Sequence, residues 1–125
     1  THLVIELGAN DALRGLPLSM TRENLSAMSR AAQAAGAKAM LIGMRLPPNY
    51  GARYGEAFAA LYASVAQSEG AALVPFMLRG VADAPDAARL FQPDRIHPTA
   101  QAHPIILGTI WAVLEPWLLA RPSRH

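Results

Sequence analysis

Three short apolar runs, separated by segments with helical periodicity, dominate the hydrophobic pattern of the chain. The runs cover residues 2–7, 39–44 and 72–76, and each is apolar at nearly every position. Such continuity is typical of parallel strands that are covered on both faces of a sheet. Between the runs, apolar residues recur at helical spacing over 21–36 and 53–68. The alternation of strand and helix predicts parallel β-α-β units in an α/β fold.

Residues that cap or break helices predict where the remaining elements begin. Residues 8–20 are expected to form a loop that ends at Thr21, the predicted N-cap of the first helix. Residues 79–93 are polar and contain prolines, so they are predicted to be mainly loop. Pro98 is predicted to open the last helix, and Pro104 should make the first turn of that helix separate or kinked.

The size and charge of the chain restrict its class. A length of 125 residues suits one small domain or most of one. We expect this domain to cover residues 1–120, with 121–125 as a tail. The net charge of +2 is small and the basic residues are scattered, which argues against a nucleic-acid partner. The chain has no cysteine, which excludes disulfides, thiolate zinc sites and a cysteine nucleophile.

Two further expectations concern membranes and the N-terminus. We expect no membrane span, because no apolar stretch is predicted to reach the ~20 residues that cross a bilayer. The chain begins at the edge of a predicted strand, and no basic region of a signal peptide precedes it. On this ground we expect the chain to be the remainder of a longer one.

The segment Asp94-Arg95-Ile96-His97-Pro98 is the first candidate for chemistry. A carboxylate three residues before a histidine can hold the imidazole by its Nδ1–H and leave Nε2 free as a base toward a hydroxyl nucleophile. The alternative is a surface turn with a helix cap. A metal site formed by Asp94, His97 and His103 is possible on spacing, but no second cluster of ligands supports it.

The second candidate is Gly8-Ala9-Asn10-Asp11, which follows the first predicted strand. Ligands of open α/β sheets gather at the carboxyl ends of the strands, and an asparagine amide there can donate to an oxyanion. The alternative is that Asn10 and Asp11 merely form an Asx turn. Because His97 is also present, we favour the functional interpretation.

A polar cluster follows the second predicted strand and should line the same rim as Asn10. It includes Arg45, Asn49 and Tyr50. One interpretation is a wall on the substrate side, and the other is loop packing in which the arginine hydrogen-bonds to backbone. The sequence leaves both open.

The chain has no recognisable serine nucleophile. Neither G-x-S-x-G nor G-D-S occurs. Four serines lie on predicted helices, one in the predicted loop and one in the tail: Ser26, Ser29, Ser64, Ser68, Ser19 and Ser123. None has the setting of a nucleophile.

Taken together, these motifs resemble the SGNH (GDSL-type) hydrolase superfamily. The segment Arg45-Leu46-Pro47-Pro48-Asn49-Tyr50-Gly51 points to its bacterial acyl-CoA thioesterase/lysophospholipase/arylesterase branch. The resemblance covers residues 2–119. It implies a flavodoxin-like three-layer α/β/α fold with a parallel sheet, whose N-terminal strands are missing from this chain.

The resemblance also implies roles for individual residues. Asn10 would donate to the oxyanion hole, and Asp94 and His97 would complete a Ser-His-Asp triad. The serine and a glycine oxyanion donor would precede Thr1. Neither a metal nor a cofactor is implied, the substrates would be acyl esters or thioesters, and the location would be periplasmic or secreted. Five further residues are predicted to bind substrate: Gly8, Asp11, Arg45, Asn49 and Tyr50.

Two consequences follow from a missing serine segment. The chain alone should be nearly inactive, because a base and an oxyanion donor without a nucleophile cannot form an acyl-enzyme. The strand over 3–7 should have an open apolar edge, so we expect an N-terminal segment of the same protein as its partner. The alternative function is a non-catalytic α/β binding or interaction module that retains remnants of a hydrolase.

Overall fold

The structure is a computed structural model that describes residues 1–120. The strands are β1 His2–Ile5, β2 Lys38–Ile42 and β3 Ala72–Val74. The α-helices are α1 Ala9–Leu13, α2 Leu18–Ala34, α3 Ala52–Glu69 and α4 His103–Leu119. Turns of 3₁₀ helix lie at Pro48–Tyr50, Ala87–Leu90 and Ala100–Ala102.

The chain divides into two compact units, Thr1–Phe76 and the residues from Met77 onward. The first contains the sheet with α1, α2 and α3, and the second contains α4. The predicted tail, 121–125, lies outside the described residues. The expectation of a single domain over 1–120 stays a prediction.

The sheet of the first unit is parallel, with the strand order β1-β2-β3. His2 pairs with Lys38 at the start of the first ladder, and Met40 pairs with Ala72 at the start of the second. The central strand β2 is buried from Ala39 to Ile42, as its continuous apolar run predicts. The edge strand β1 is exposed except at its last residue.

Helices α2 and α3 pack against each other and against the sheet. Helix α3 directs the predicted apolar face inward, and its side chains there are at most 2 % exposed: Phe58, Leu61, Tyr62 and Val65. Leu25 of α2 and Ile5 of β1 join them in one core cluster. This cluster supports the turn that follows β1.

The start of α2 and the preceding loop differ from prediction. The helix begins at Leu18, directly after Pro17, whose fixed φ of −57° suits entry into a helix. Thr21 therefore lies inside α2, and its hydroxyl binds a side chain instead of capping the helix. The segment predicted as loop also contains the short helix α1, which begins after Gly8.

In the second unit, the helix predicted to open at Pro98 begins later. Pro98 forms an isolated antiparallel bridge with Phe91, so its backbone is extended and not helical. A 3₁₀ turn follows at Ala100–Ala102, and α4 starts at His103 with a proline in its first turn. The predicted separate first turn is thus confirmed. Its cause is Pro104, which has no N–H to donate to a preceding turn and is accommodated best in the first turn of a helix.

Helix α4 has no buried residue. Within residues 1–120, the stretch Ala100–Leu119 is long and apolar enough to cross a membrane, judged by length and composition alone. The expectation that no apolar stretch reaches this length is therefore wrong. Core helices satisfy the same two criteria, and the absence of a membrane span stays a prediction.

Candidate active site

Asp94 and His97 form a hydrogen-bonded pair in the second unit. The Nδ1–H of His97 donates to Oδ2 of Asp94 over 2.6 Å. The imidazole is 69 % exposed and the carboxylate 42 %. Because Nδ1 is occupied, Nε2 is the ring nitrogen that can accept a proton from an incoming hydroxyl. The pair thus has the geometry of a general base with its orienting carboxylate.

The other oxygen of Asp94 holds the backbone of the same turn. Oδ1 accepts hydrogen bonds from the N–H groups of Ile96, over 2.9 Å, and His97, over 3.0 Å. The hydrogen bond from the His97 ring and these two N–H donors lower the pKa of Asp94 to about 2. Asp94 is therefore a permanent carboxylate at neutral pH.

Backbone hydrogen bonds close the loop that carries this pair. The N–H of Gln92 donates to the carbonyl of His97 over 2.7 Å, and the N–H of Thr99 donates to that of Leu90 over 2.9 Å. Arg95 completes the tight turn with a left-handed φ of 62°. The two alternatives for the motif, a surface turn and a paired imidazole, therefore occur together.

Asn10 lies in the first unit, where the chain turns from β1 into α1. Gly8 makes this turn with a φ of 112°, in the region that favours glycine. The carbonyl of Asn10 accepts from the N–H of Arg14 over 3.1 Å, so its backbone is helical. Its side chain is exposed and makes no hydrogen bond within residues 1–120. The amide can therefore donate to a ligand.

Two buried hydroxyl groups support this turn, and the sequence pattern alone assigns neither of them to the site. The hydroxyl of Tyr62 donates to the carbonyl of Leu7 over 2.9 Å. The hydroxyl of Thr21 donates to Oδ2 of Asp11 over 3.2 Å. A tyrosine on the apolar face of a helix was the available signal, because a buried phenol needs a hydrogen-bond partner.

Arg45 follows β2, and its guanidinium group lies over the ring of Phe76, 4.9 Å from the centroid. Gly43 permits the close approach of the two chain segments, since a Cβ there would collide with the carbonyl of Pro75. Arg45 also lines an open cavity of about 640 Å³ between its loop and α3. Asn49 and Tyr50 lie in the 3₁₀ turn of this loop and are not among the residues that line the cavity.

Three serines of the described part of the chain form hydrogen bonds that stabilise the fold. The hydroxyls of Ser29 and Ser68 donate to backbone carbonyls within their own helices, and Ser64 accepts a hydrogen bond from Arg22. Ser19, predicted in a loop, lies in the first turn of α2. No serine within residues 1–120 hydrogen-bonds to a histidine, and Ser123 lies outside that range.

Comparison with known protein families identifies the family to which these features belong. The sequence profile of the GDSL-like lipase/acylhydrolase family matches residues 1–105. The chain belongs to this family. The membership predicted from the Gly8–Asp11 and Asp94–Pro98 motifs is thereby confirmed.

Relatives in the family cover nearly all of this chain. It is 47 % identical over 116 residues to "Esterase TesA" of Pseudomonas aeruginosa, covering 93 % of this chain and 56 % of the relative. It is 38 % identical over 114 residues to "Thioesterase 1/protease 1/lysophospholipase L1" of Escherichia coli K12, covering 91 % and 53 %. The chain thus spans about half the length of these curated relatives.

A solved structure supports the predicted fold. The crystal structure of the psychrotrophic esterase EstA from Pseudoalteromonas sp., inhibited by monoethylphosphonate, superposes with a TM-score of 0.86. The two chains are 36 % identical, and the match covers 96 % of this chain and 64 % of EstA. The SGNH hydrolase fold, an α/β fold with a parallel sheet, is therefore confirmed.

Proposed function

We propose that this chain is the C-terminal part of a serine esterase or thioesterase whose nucleophilic serine lies outside these 125 residues. The observation that carries the proposal is the hydrogen bond between Nδ1 of His97 and Asp94, which leaves Nε2 as the reactive nitrogen. The names of the relatives, an esterase and a thioesterase/lysophospholipase, favour acyl esters and thioesters as substrates.

The proposed reaction has two halves. In the first, Nε2 of His97 takes the proton of the serine hydroxyl while Oγ attacks the acyl carbonyl carbon, and the Asn10 amide donates to the oxyanion. The intermediate collapses, and His97 returns the proton to the departing alcohol or thiol. In the second half, water attacks the acyl-enzyme with the same base, releasing the carboxylic acid and the serine.

The proposed partner of this chain is an N-terminal segment of the same protein that carries the serine. The edge strand β1 supports this, because Leu3 and Val4 are each 43 % exposed and Leu7 is 58 % exposed. An open apolar groove of about 530 Å³ runs between β1 and Met28 of α2. An edge of this kind is a template for another strand. A parallel strand added there would cover the exposed side chains of β1.

We also propose a periplasmic or secreted location, for which the family resemblance is the support. Fractionation of cells that express the complete gene product tests it. Recovery of the protein with the periplasm or the medium supports the proposal, and recovery in the cytoplasm contradicts it.

Hydrolysis assays test the proposed activity. They compare the complete gene product with the 125-residue chain, on p-nitrophenyl esters and on acyl-CoA. We expect turnover from the complete product and none from the chain alone. A complete product that lacks a G-D-S serine and does not turn over either substrate would favour the alternative, a non-catalytic binding module.

A further inference from the structure

We propose that Tyr62 and Thr21 are positioning residues that set the direction of the Asn10 amide, an inference that rests on the proposed function. Both residues are buried and lie on the two long helices of the first unit. Neither side chain needs to touch substrate for this role.

The turn that carries Asn10 cannot hold its own conformation. Helix α1 has five residues, and isolated helices of this length are unstable in water. Gly8, the residue before it, can adopt many backbone conformations. The direction of the Asn10 side chain therefore depends on contacts from outside the turn.

Tyr62 fixes the turn on the side that precedes Asn10. Its hydroxyl donates to the carbonyl of Leu7 over 2.9 Å, beyond the last paired residue of β1. A Cβ on Gly8 would lie only 2.7 Å from the same hydroxyl, so the backbone rests directly on it. The ring is held by Phe58, which it meets edge to face at 5.3 Å.

Burial, followed by the charges of Glu6 and Asp11, raises the pKa of Tyr62. The phenol therefore stays protonated throughout the range in which hydrolases work. It is a permanent donor to the Leu7 carbonyl.

Thr21 fixes the turn on the side that follows Asn10. Its hydroxyl donates to Oδ2 of Asp11 over 3.2 Å. Its Cγ2 would lie 3.3 Å from a Cβ on Gly8, so the methyl group also packs against the turn. Asn10 is thus held between two residues that are each tied to a different helix.

The test compares Tyr62→Phe with wild type in the complete gene product. Loss of a direct oxyanion donor costs about 100- to 1,000-fold in kcat, so a misdirected donor should cost less, about 10-fold, with KM unchanged. Thr21→Val should lower kcat similarly, whereas Thr21→Ser keeps the hydroxyl and should retain activity. The matched control is Ser29→Ala, because Ser29 is a buried residue of α2 whose hydroxyl donates to the Leu25 carbonyl of its own helix.

A double-mutant cycle with Asn10→Ala separates positioning from general destabilisation. If Tyr62 acts through Asn10, Tyr62→Phe should not lower kcat further in the Asn10→Ala background. The inference is overturned if Tyr62→Phe leaves kcat unchanged, lowers it equally in both backgrounds, or has the same effect as Ser29→Ala. If instead Asn10→Ala and His97→Ala both retain full hydrolysis, the proposed function itself fails, and this inference fails with it.

Discussion

The two regions that carry the candidate residues are each stabilised in a different way. The Asp94–His97 loop is closed by hydrogen bonds among residues 90–99, and none of them joins residues more than nine positions apart. The Asn10 turn is supported by side chains from the two long helices α2 and α3, and its hydrogen bond from Tyr62 to Leu7 spans 55 positions. The first region is a local structure, whereas the second exists only because the sheet and helices pack correctly.

This difference predicts how each region responds to change. A local loop should keep its geometry when distant core residues are altered, because its hydrogen bonds are all internal. The Asn10 turn should respond to substitutions far away in sequence. The base and the oxyanion donor of the proposed reaction should therefore be separable by mutation.

The largest expected effect comes from His97→Ala in the complete protein. Loss of the general base should lower kcat on the order of 1,000-fold, because base catalysis contributes about 100- to 10,000-fold. The control is His103→Ala, which removes the exposed histidine at the start of α4 and should not change kcat. Steady-state hydrolysis of a p-nitrophenyl ester measures both, and activity retained by His97→Ala would contradict the assigned role.

Asn10→Ala should lower kcat about 100-fold with little change in KM, because its amide acts on charge that develops in the transition state. Asn24→Ala, on the exposed side of α2, is the control and should behave as wild type. An equal rise in KM with kcat unchanged would assign Asn10 to ground-state binding instead.

Stability measurements test the Asn10 turn without relying on activity. Gly8→Ala should lower the free energy of unfolding by about 3 kcal/mol, combining backbone strain with the collision against Tyr62. The matched control is Gly36→Ala. Gly36 also has a positive φ, of +85°, but nothing lies within 4 Å of a Cβ added there. This control should lower the free energy of unfolding by about 1 kcal/mol, from backbone strain alone. Equal urea midpoints for the two variants would show that the packing against Tyr62 contributes nothing.

The titration of Asp94 tests the local loop. Because folding lowers this pKa to about 2, the ionised carboxylate stabilises the loop above the ordinary value of about 4. That contribution is lost as the pH falls through about 2. In His97→Ala the pKa should rise but stay below about 4, since two N–H donors remain. Carboxyl ¹³C NMR measures it, and the same pKa in both proteins would exclude His97 as the main cause.

The smallest expected effect is that of Arg95→Gly. The left-handed φ of 62° strains an arginine but not a glycine. Removal of this backbone strain should stabilise the fold by about 1–2 kcal/mol, but glycine also raises the entropy of the unfolded chain. We therefore expect a net stabilisation of about 0.5 kcal/mol, with kcat unchanged. Thermal unfolding measures the shift, and a clear destabilisation would mean that the arginine side chain contributes contacts of its own.

Sequence patterns predicted the features that depend on near neighbours. The buried run of β2, the inward face of α3 and the Asp94–His97 pair all follow from spacings of a few residues. The sequence predicts that α2 starts after Thr21, because threonine is a common N-cap residue. In the structure the helix starts at Leu18, and the Thr21 hydroxyl donates to Asp11 instead. Helical spacing places Tyr62 on the apolar face of α3, but its partner Leu7 is too distant in sequence for a periodic pattern to indicate.

Covalent labelling locates the nucleophile, which we propose is a serine outside these 125 residues. The complete gene product and the 125-residue chain would each be treated with a fluorophosphonate and analysed by intact mass spectrometry followed by peptide mapping. We expect a single adduct on a serine upstream of Thr1 in the complete product, and no adduct on the 125-residue chain alone. Formation of the adduct should be much slower in His97→Ala. A stoichiometric adduct on a serine within the 125 residues would contradict it.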